Sequence, residues 1–161
     1  MASRDGDRAV ALSQQLAQAH QELRRQITEI RTRIGQRRLS DDVLLTHCLA
    51  FCAALTSHHQ GEDEGMFSAL LRQRPELAAT VTKLVEDHGL ISTILSQVSE
   101  LADRAAASPD AGLAAIGREL DGLAAIMESH FSYEERTISE ALDDGVPDTD
   151  WSDMVFGFGR V

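Results

Sequence analysis

The sequence predicts an all-α protein, an up-down-up-down four-helix bundle followed by a short irregular C-terminal tail. Apolar residues recur at alternating steps of three and four, which is the spacing of one face of an α-helix. Four such segments follow one another with short turns between them, as in a bundle of antiparallel helices. Three prolines and a single Trp and Tyr in 161 residues offer little support for an all-β fold.

Turn and capping residues bound the first two amphipathic segments. The first covers about residues 7–34 and is followed by Gly35. The second begins at Ser40 and Asp41, residue types that cap helix N-termini, and it stops before Pro75. We therefore expect two helices that are joined by a short turn.

The third and fourth segments complete the predicted bundle, which we assign to residues 1–144. The third covers about residues 76–106, and Pro109 lies near the start of the fourth helix. Residues 145–161 show no helical period, so we expect an irregular tail. Three aromatic residues of this tail could pack back onto the bundle: Trp151, Phe156 and Phe158.

Composition narrows the possible partners and location. Lys and Arg number 15 against 26 Asp and Glu, and the net charge of −11 disfavours binding to nucleic acid or anionic membranes. No apolar run approaches the roughly 18 residues of a membrane span, and the polar first residues predict no signal peptide. Cys48 and Cys52 lie four apart in one helix, so we expect buried thiols in a reduced cytoplasmic protein, with a redox switch as the alternative.

Histidine interrupts every apolar helix face, and a carboxylate interrupts two of them. Burying such a group without a partner is costly, so polar residues on four facing surfaces need an explanation. A metal site is one explanation, and a buried network of hydrogen bonds is the other. The six residues are His20, His58, Glu62, His88, His130 and Glu134.

The spacing along the helices places these six residues in one layer of the bundle. Glu62 and His88 each lie about twelve residues from the turn between their helices. The corresponding distances on the other helices differ by no more than about one turn, at a rise of about 1.5 Å per residue. The six side chains can therefore meet.

The layer is repeated within the chain. A helix with one histidine precedes a helix with His-x-x-x-Glu, and this order occurs twice. The string HFSYEER of the fourth helix aligns with HHQGEDE of the second, so that Phe131 corresponds to His59 and Glu135 to Asp63. Each half thus supplies two imidazoles and one carboxylate, in an approximate two-fold arrangement.

Four imidazoles with two carboxylates between them suit a pair of transition-metal ions. Each carboxylate can bridge both ions and offset their mutual repulsion, while the imidazoles complete either end. Zinc, manganese and iron all fit this donor set by ligand type. The sequence contains no Gly-rich phosphate loop, zinc-type cysteine cluster or GxSxG nucleophile turn.

At this point the chain resembles the hemerythrin-like family, the HHE cation-binding domain, in its bacterial single-domain form. The pattern H…HxxxE…H…HxxxE covers about residues 9–143, and the strings HHQGEDEGMF and HFSYEERTI also resemble the family. The resemblance implies a four-helix bundle with two iron ions, Fe²⁺ or Fe³⁺, bridged by carboxylates and by an oxo or hydroxo group.

One departure from the oxygen-carrying members concerns the third helix. Those proteins have an HxxxH pair there and five histidines in all, whereas Ser92 follows His88 by four residues here and Leu84 precedes it by four. We therefore expect a site that lacks one imidazole, with open or water-filled positions at both irons. That expectation counts against a pure oxygen carrier.

The resemblance implies three kinds of function. The first is a redox enzyme in oxidative or nitrosative defence, which turns over hydrogen peroxide in a catalase-like reaction or reacts with nitric oxide. The second is reversible dioxygen binding or sensing, and the third is iron handling. The sequence does not indicate an electron donor.

Several residues near the predicted ligands allow more than one interpretation. Glu62 and Glu134 are candidates for proton transfer, and Tyr133 could bond a bound peroxide or pack at the end of the site. His59 and Asp63 form a rival i,i+4 pair on a less apolar face, so we expect His59 to contact ligands rather than to bind metal. His47 lies about three turns away, too far to share the site.

Overall fold

The computed structural model describes residues 10–36, 41–105, 109–147 and 150–157. Within these ranges the secondary structure is helical and no strand occurs, so the all-α prediction is confirmed. The elements are α1 (Leu12–Gln36), α2 (Asp41–Gly61), a π turn (Glu62–Met66), α3 (Phe67–Gln73), a 3₁₀ turn (Pro75–Leu77), α4 (Ala78–Ala105), α5 (Pro109–Leu142) and α6 (Ser152–Phe156).

The segment from α2 to α3 is one continuous helical rod with the π turn in its middle, and it ends where Pro75 was predicted to stop the helix. The predicted start of the first helix near residue 7 lies outside the described residues. So do Ser40 and Phe158. In the part of the chain that is described, no helix has both the length and the apolar character needed to cross a membrane.

Polar contacts show that α1 and α5 run antiparallel. Arg24 bonds Glu128 at 2.7 Å, and Arg31, two turns further along α1, bonds Asp121 at 2.8 Å. Residue numbers thus rise along α1 while those of their partners fall along α5. The helices form a helical bundle, and its complete up-down-up-down order stays a prediction.

Two apolar clusters fill the interior, and the histidines lie between them. The larger cluster contains residues such as Leu23 of α1 and Leu55 of α2, and the smaller one contains Leu16 and Met66. Along α1 the change from one cluster to the other occurs at His20, and the other long helices change at their own polar residues. Burial of these apolar faces supplies the main favourable term in folding.

The C-terminal tail differs from the predicted irregular segment, because it contains the short helix α6. Gly145, at φ +88°, reverses the chain after α5, and Trp151 and Phe156 are buried against the bundle. A helix of five residues is too short to show a 3.6-residue period in the sequence. Packing against α2 and the π turn is therefore what stabilises α6.

Candidate metal centre

The π turn at Glu62–Met66 lies at the level of the polar layer. A π turn inserts an extra residue into an α-helix, and such turns are frequent at functional sites. It begins at Glu62, directly after the turn of α2 that carries His58 and His59. The spacing of apolar residues in the sequence does not indicate this local widening of the helix.

The structure brings all six predicted residues together and adds His59. Each of the seven side chains is buried, and His59 is 6% exposed. They form two groups, and within each group one ligand-type atom from every residue lies within 4.8 Å of those of the others. The His20 group contains His20, His58, Glu62 and Glu134, and the His88 group contains His59, Glu62, His88 and His130.

Glu62 belongs to both groups because its two oxygens face in different directions. Its Oε1 lies 3.1 Å from Nε2 of His88, and its Oε2 lies 3.3 Å from Nε2 of His58. Glu134 approaches the His20 group, with Oε1 at 2.9 Å from Nε2 of His20. A carboxylate in the position of Glu62 can bridge two cations.

The donor atoms fit metal ions better than they fit one another. Several of these buried atoms are close together yet have no hydrogen bond of good geometry, although buried polar groups are normally paired. Atoms that surround a common cation are arranged in this way. They include Nε2 of His20 and His59, and both carboxylate oxygens of Glu62 and Glu134.

Four of the five histidines are oriented by a contact at Nδ1. Glu135 contacts His20 at 2.7 Å, Asp63 contacts His88 at 2.7 Å and Asp87 contacts His130 at 3.1 Å. The fourth partner is a backbone carbonyl, that of Val155 in α6, at 2.7 Å from His58. Such contacts fix the orientation of the ring and turn Nε2 toward the other donor atoms, as is usual around metal-binding histidines.

The internal repeat holds in three dimensions, with one exchange of side chains. His59 stacks on His88 with 3.8 Å between ring centroids, and Phe131 stacks on His20 at 3.9 Å. The sequence alignment pairs His59 with Phe131. One half of the layer therefore has a third imidazole where the other half has a phenyl ring.

The two buried carboxyl groups have opposite electrostatic environments. Burial raises the pKa of Glu62, but the imidazoles of His58 and His88 outweigh it and hold that pKa well below its usual value. Burial, reinforced by the neighbouring Glu62, raises the pKa of Glu134 well above its usual value. Two adjacent carboxylates without cations cannot both ionise easily, and two metal ions would remove this conflict.

The imidazoles of the His88 group also differ from one another. Burial lowers the pKa of His88, but Asp63 and Glu62 outweigh it and raise that pKa to about 9. Burial lowers the pKa of His130 to about 4, and burial together with the nearby His88 holds the pKa of His59 well below its usual value. His59 and His130 are therefore neutral at pH 7, the form in which imidazole binds metal.

The position of His59 differs from the expectation that it contacts ligands from outside. Successive residues on a helix point about 100° apart, so His58 and His59 cannot occupy one line of the helix face. Because α2 lies beside both α1 and α4, His58 turns toward His20 and His59 toward His88. Phe131 was the available signal, since an apolar residue at the matching position indicates that this position is buried. As a ligand set, these residues stay a prediction.

The other candidate residues lie away from the cluster. Tyr133 is partly buried against the smaller apolar cluster, the Arg136 guanidinium lies over its ring, and its carbonyl accepts a hydrogen bond from the Thr137 hydroxyl. Its role toward a bound peroxide stays a prediction. His47 is exposed, and Cys48 and Cys52 are free thiols buried in the larger apolar cluster.

A cavity of about 310 Å³ borders the cluster between α2 and α4. The rings of His59 and His88 form its inner wall, and the small residues Gly89 and Ser92 line the α4 side. Ser92 is the position at which the sequence lacks a histidine. The cavity is large enough for a few water-sized molecules and places solvent beside the His88 group.

Comparison with known proteins supports the same assignment. The family model described as Hemerythrin HHE cation binding domain matches residues 11–142, a range that contains all seven clustered residues. Neither the comparison with curated proteins nor the comparison with solved structures gave a match. Since the family model covers most of the chain, the protein belongs to the hemerythrin HHE cation-binding family.

Proposed function

We propose that the protein is a cytoplasmic di-iron protein with an up-down-up-down bundle. The observation that carries the proposal is the pair of donor groups that share Glu62, with one of its oxygens toward each group. His59, His88 and His130 would hold one iron, and His20, His58 and Glu134 the other. Imidazole and carboxylate are suitable donors for iron in either the ferrous or the ferric state.

The exchange of His59 for Phe131 makes the two irons unequal. A phenyl ring cannot donate an electron pair to a metal, so the iron of the His20 group would have two imidazoles with the carboxylates of Glu62 and Glu134, whereas the other iron would have three imidazoles with Glu62. Any exchangeable position at that iron would lie toward Phe131, which is fully buried and stacked on His20. An exogenous small molecule would bind there.

The reaction that we propose is the disproportionation of hydrogen peroxide. Two peroxide molecules give two water molecules and one dioxygen, because one peroxide accepts the two electrons and two protons that the other loses. Two adjacent irons, when bound, supply a store for two electrons. The reaction consumes no external reductant, whereas the reduction of nitric oxide, the related alternative, needs an electron donor.

The protein would contribute orientation, enclosure and proton transfer. The contacts at Nδ1 from Glu135, Asp63, Asp87 and Val155 hold the imidazoles in place. The buried apolar clusters on either side of the layer exclude bulk water from those two directions, so solvent reaches the layer from the cavity beside the His88 group. The carboxylates of Glu62 and Glu134, which belong to the donor groups, would accept and return protons.

Reversible dioxygen binding is the second candidate, and the position of His59 favours it. His59 would supply a fifth imidazole. Five is also the number of histidines in the oxygen-carrying members of the family that the sequence resembles. Iron handling is a weaker alternative, because a fully buried donor set suits a resident cofactor better than a transient cargo. The three functions differ in what happens when the iron-loaded protein meets air and peroxide.

A metal count with an ultraviolet–visible spectrum tests the metal centre itself. The purified, iron-loaded protein should contain two irons per chain and show charge-transfer bands of a bridged ferric pair. Treatment with a chelator should remove the bands, and reloading should restore them. A protein that takes up no iron, or only one ion, would refute the two-ion centre.

Oxygen evolution from peroxide tests the reaction. The iron-loaded protein should release dioxygen, and Glu62→Ala should abolish the release, while Glu64→Ala, an exposed acid in the same π turn, should leave it unchanged. A stable oxy spectrum that reverses under argon, without peroxide turnover, would favour dioxygen binding instead. Equal turnover by Glu62→Ala and the unchanged protein would exclude catalysis by this centre.

A further inference from the structure

His58 differs from His20, His88 and His130 in the kind of group that contacts its Nδ1 atom. The partners of His20, His88 and His130 are carboxylates, whereas that of His58 is the Val155 carbonyl, 97 residues further along the chain. A carbonyl can only accept a hydrogen bond, so Nδ1 of His58 must carry the proton. In the neutral tautomer with this proton, Nε2, which faces the His20 group, is the nitrogen that can bind a metal. The tail therefore selects the tautomer that a metal requires.

Two glycines allow the tail to come this close to α2. A Cβ added to Gly61 would meet the Met154 Cβ and the Val155 Cγ2, each at 2.8 Å. A Cβ added to Gly65 would overlap the Cβ of Trp151. Larger residues at either position would displace α6. The glycines thus lie at the contact that brings the Val155 carbonyl to His58.

We propose that residues 150–157 are a positioning segment, and that their docking is coupled to metal binding by the His20 group. The inference rests on the proposed metal centre and adds the tail as a part of it. Docking orients His58, so an ion at the His20 group is held more tightly when α6 is in place. By thermodynamic reciprocity the bound ion stabilises docking by the same factor.

The competing interpretation is that α6 only covers apolar surface. Val155 and Phe156 are almost fully buried, so loss of docking would lower stability on either interpretation. Coupling alone predicts that undocking affects one of the two metal ions and leaves the other bound. The experiment must therefore measure metal occupancy and docking separately.

Trp151 provides an independent measure of docking, because it is the only tryptophan and is 6% exposed in the docked tail. Undocking should shift its emission to the red and increase quenching by acrylamide. In Gly65→Ala and Gly61→Ala we expect this change, together with a fall in iron from two ions per chain to about one. Removal of a contact that orients a metal ligand lowers metal affinity, which is the reason for the expected fall. Gly122→Ala, at an exposed helical glycine with open space around it, is the control and should change neither quantity.

The unchanged protein gives a second test that needs no variant. Zinc(II) is the probe, since it accepts imidazole and carboxylate ligands and has no redox chemistry. Titration of the metal-free protein with zinc, in urea at a concentration that partly exposes Trp151, should reduce acrylamide quenching of Trp151 as the second ion binds. Quenching that is the same before and after zinc binding would overturn the coupling, even if the glycine variants fail to fold.

The outcomes separate the two proposals. If the unchanged protein binds no metal, the metal centre fails and the coupling fails with it. Suppose instead that the unchanged protein binds two ions. If Gly65→Ala, with Trp151 exposed, then also binds two ions with the same affinity and spectrum, only the coupling is wrong. Loss of one ion in both glycine variants, with Gly122→Ala unaffected, would support it.

Discussion

The two halves of the polar layer share their geometry and differ in one donor. Asp63 contacts His88 and Glu135 contacts His20, both at 2.7 Å, and each of these histidines carries a stacked ring. That ring is His59 in one half and Phe131 in the other. The repeat thus preserves one scaffold in both halves, while a single side chain decides which half has a third imidazole.

A second difference concerns the outer contacts of the two remaining histidines. His130 is oriented by Asp87, which in turn pairs with Lys83 at 2.5 Å, whereas His58 is oriented by the tail. One half is therefore completed by charged residues of α4 and the other by a backbone group from the C-terminus. These differences are the natural points at which to test whether the halves are independent.

The largest effect is expected when the shared donor is removed. Glu62→Ala should lose both ions, because Glu62 belongs to both groups, whereas Glu134→Ala should lose mainly the ion of the His20 group. Iron content per chain, measured beside circular dichroism to confirm folding, distinguishes the two. Equal loss in both variants would show that the two carboxylates bridge equivalently.

His59→Phe tests the additional donor by giving the His88 half the ring of the other half. Removal of a direct ligand should weaken binding at that half by more than about 100-fold, beyond the range seen for contacts that only orient a ligand. Competition with a zinc chelator measures the affinity, and His47→Phe, at an exposed histidine, is the control. A loss of only about 10-fold would return His59 to the outer role that the sequence predicted.

Phe131→His is the converse change and should affect ligand access more than metal content. A new imidazole would fill the position that faces Phe131, so azide should bind the iron-loaded protein more weakly while iron stays at two per chain. Phe131→Leu keeps the position apolar and serves as the control for lost packing. If both variants bind azide equally, the vacant position does not lie beside Phe131.

The smallest effects are expected from the matched outer carboxylates. Asp63→Asn and Glu135→Gln should each lower metal affinity by roughly 10-fold, since such contacts orient a ligand without binding the metal. The equal distances predict similar losses, each confined to the half that carries the altered contact. Zinc titrations of the two variants provide the comparison, and unequal losses would mean that the halves differ beyond the exchange of His59 for Phe131.

Much of the candidate site could be predicted because its residues obey the helical period. His20, His58, His88 and His130 occupy positions that the 3.6-residue period assigns to the interior, and the repeat selects the accompanying glutamates. Periodicity describes one line along a helix. It therefore did not predict that His59, the neighbour of His58, is buried, although α2 faces two other helices at once.

The tail was less predictable for a different reason. The short helix α6 is stabilised by what it packs against, and no local signal in residues 145–161 reveals that Gly61 and Gly65 provide the space. The π turn at Glu62–Met66 was likewise invisible, since its sequence differs little from an ordinary helix turn. Both features depend on contacts between segments that are far apart in the chain.

By itself the sequence determined the helical class, the polar layer and its internal repeat, because burial of a periodic apolar face follows from local spacing. Only the tertiary structure decided that His59 points into the cluster and that the Val155 carbonyl orients His58. The physical reason for the first is that the neighbouring helices determine which sides of a helix are buried. The reason for the second is that every residue has a backbone carbonyl, so the sequence does not indicate which carbonyl will accept a hydrogen bond. Residue spacing along each helix therefore predicts which polar side chains form the layer, whereas the contacts that orient them arise only when the helices pack together.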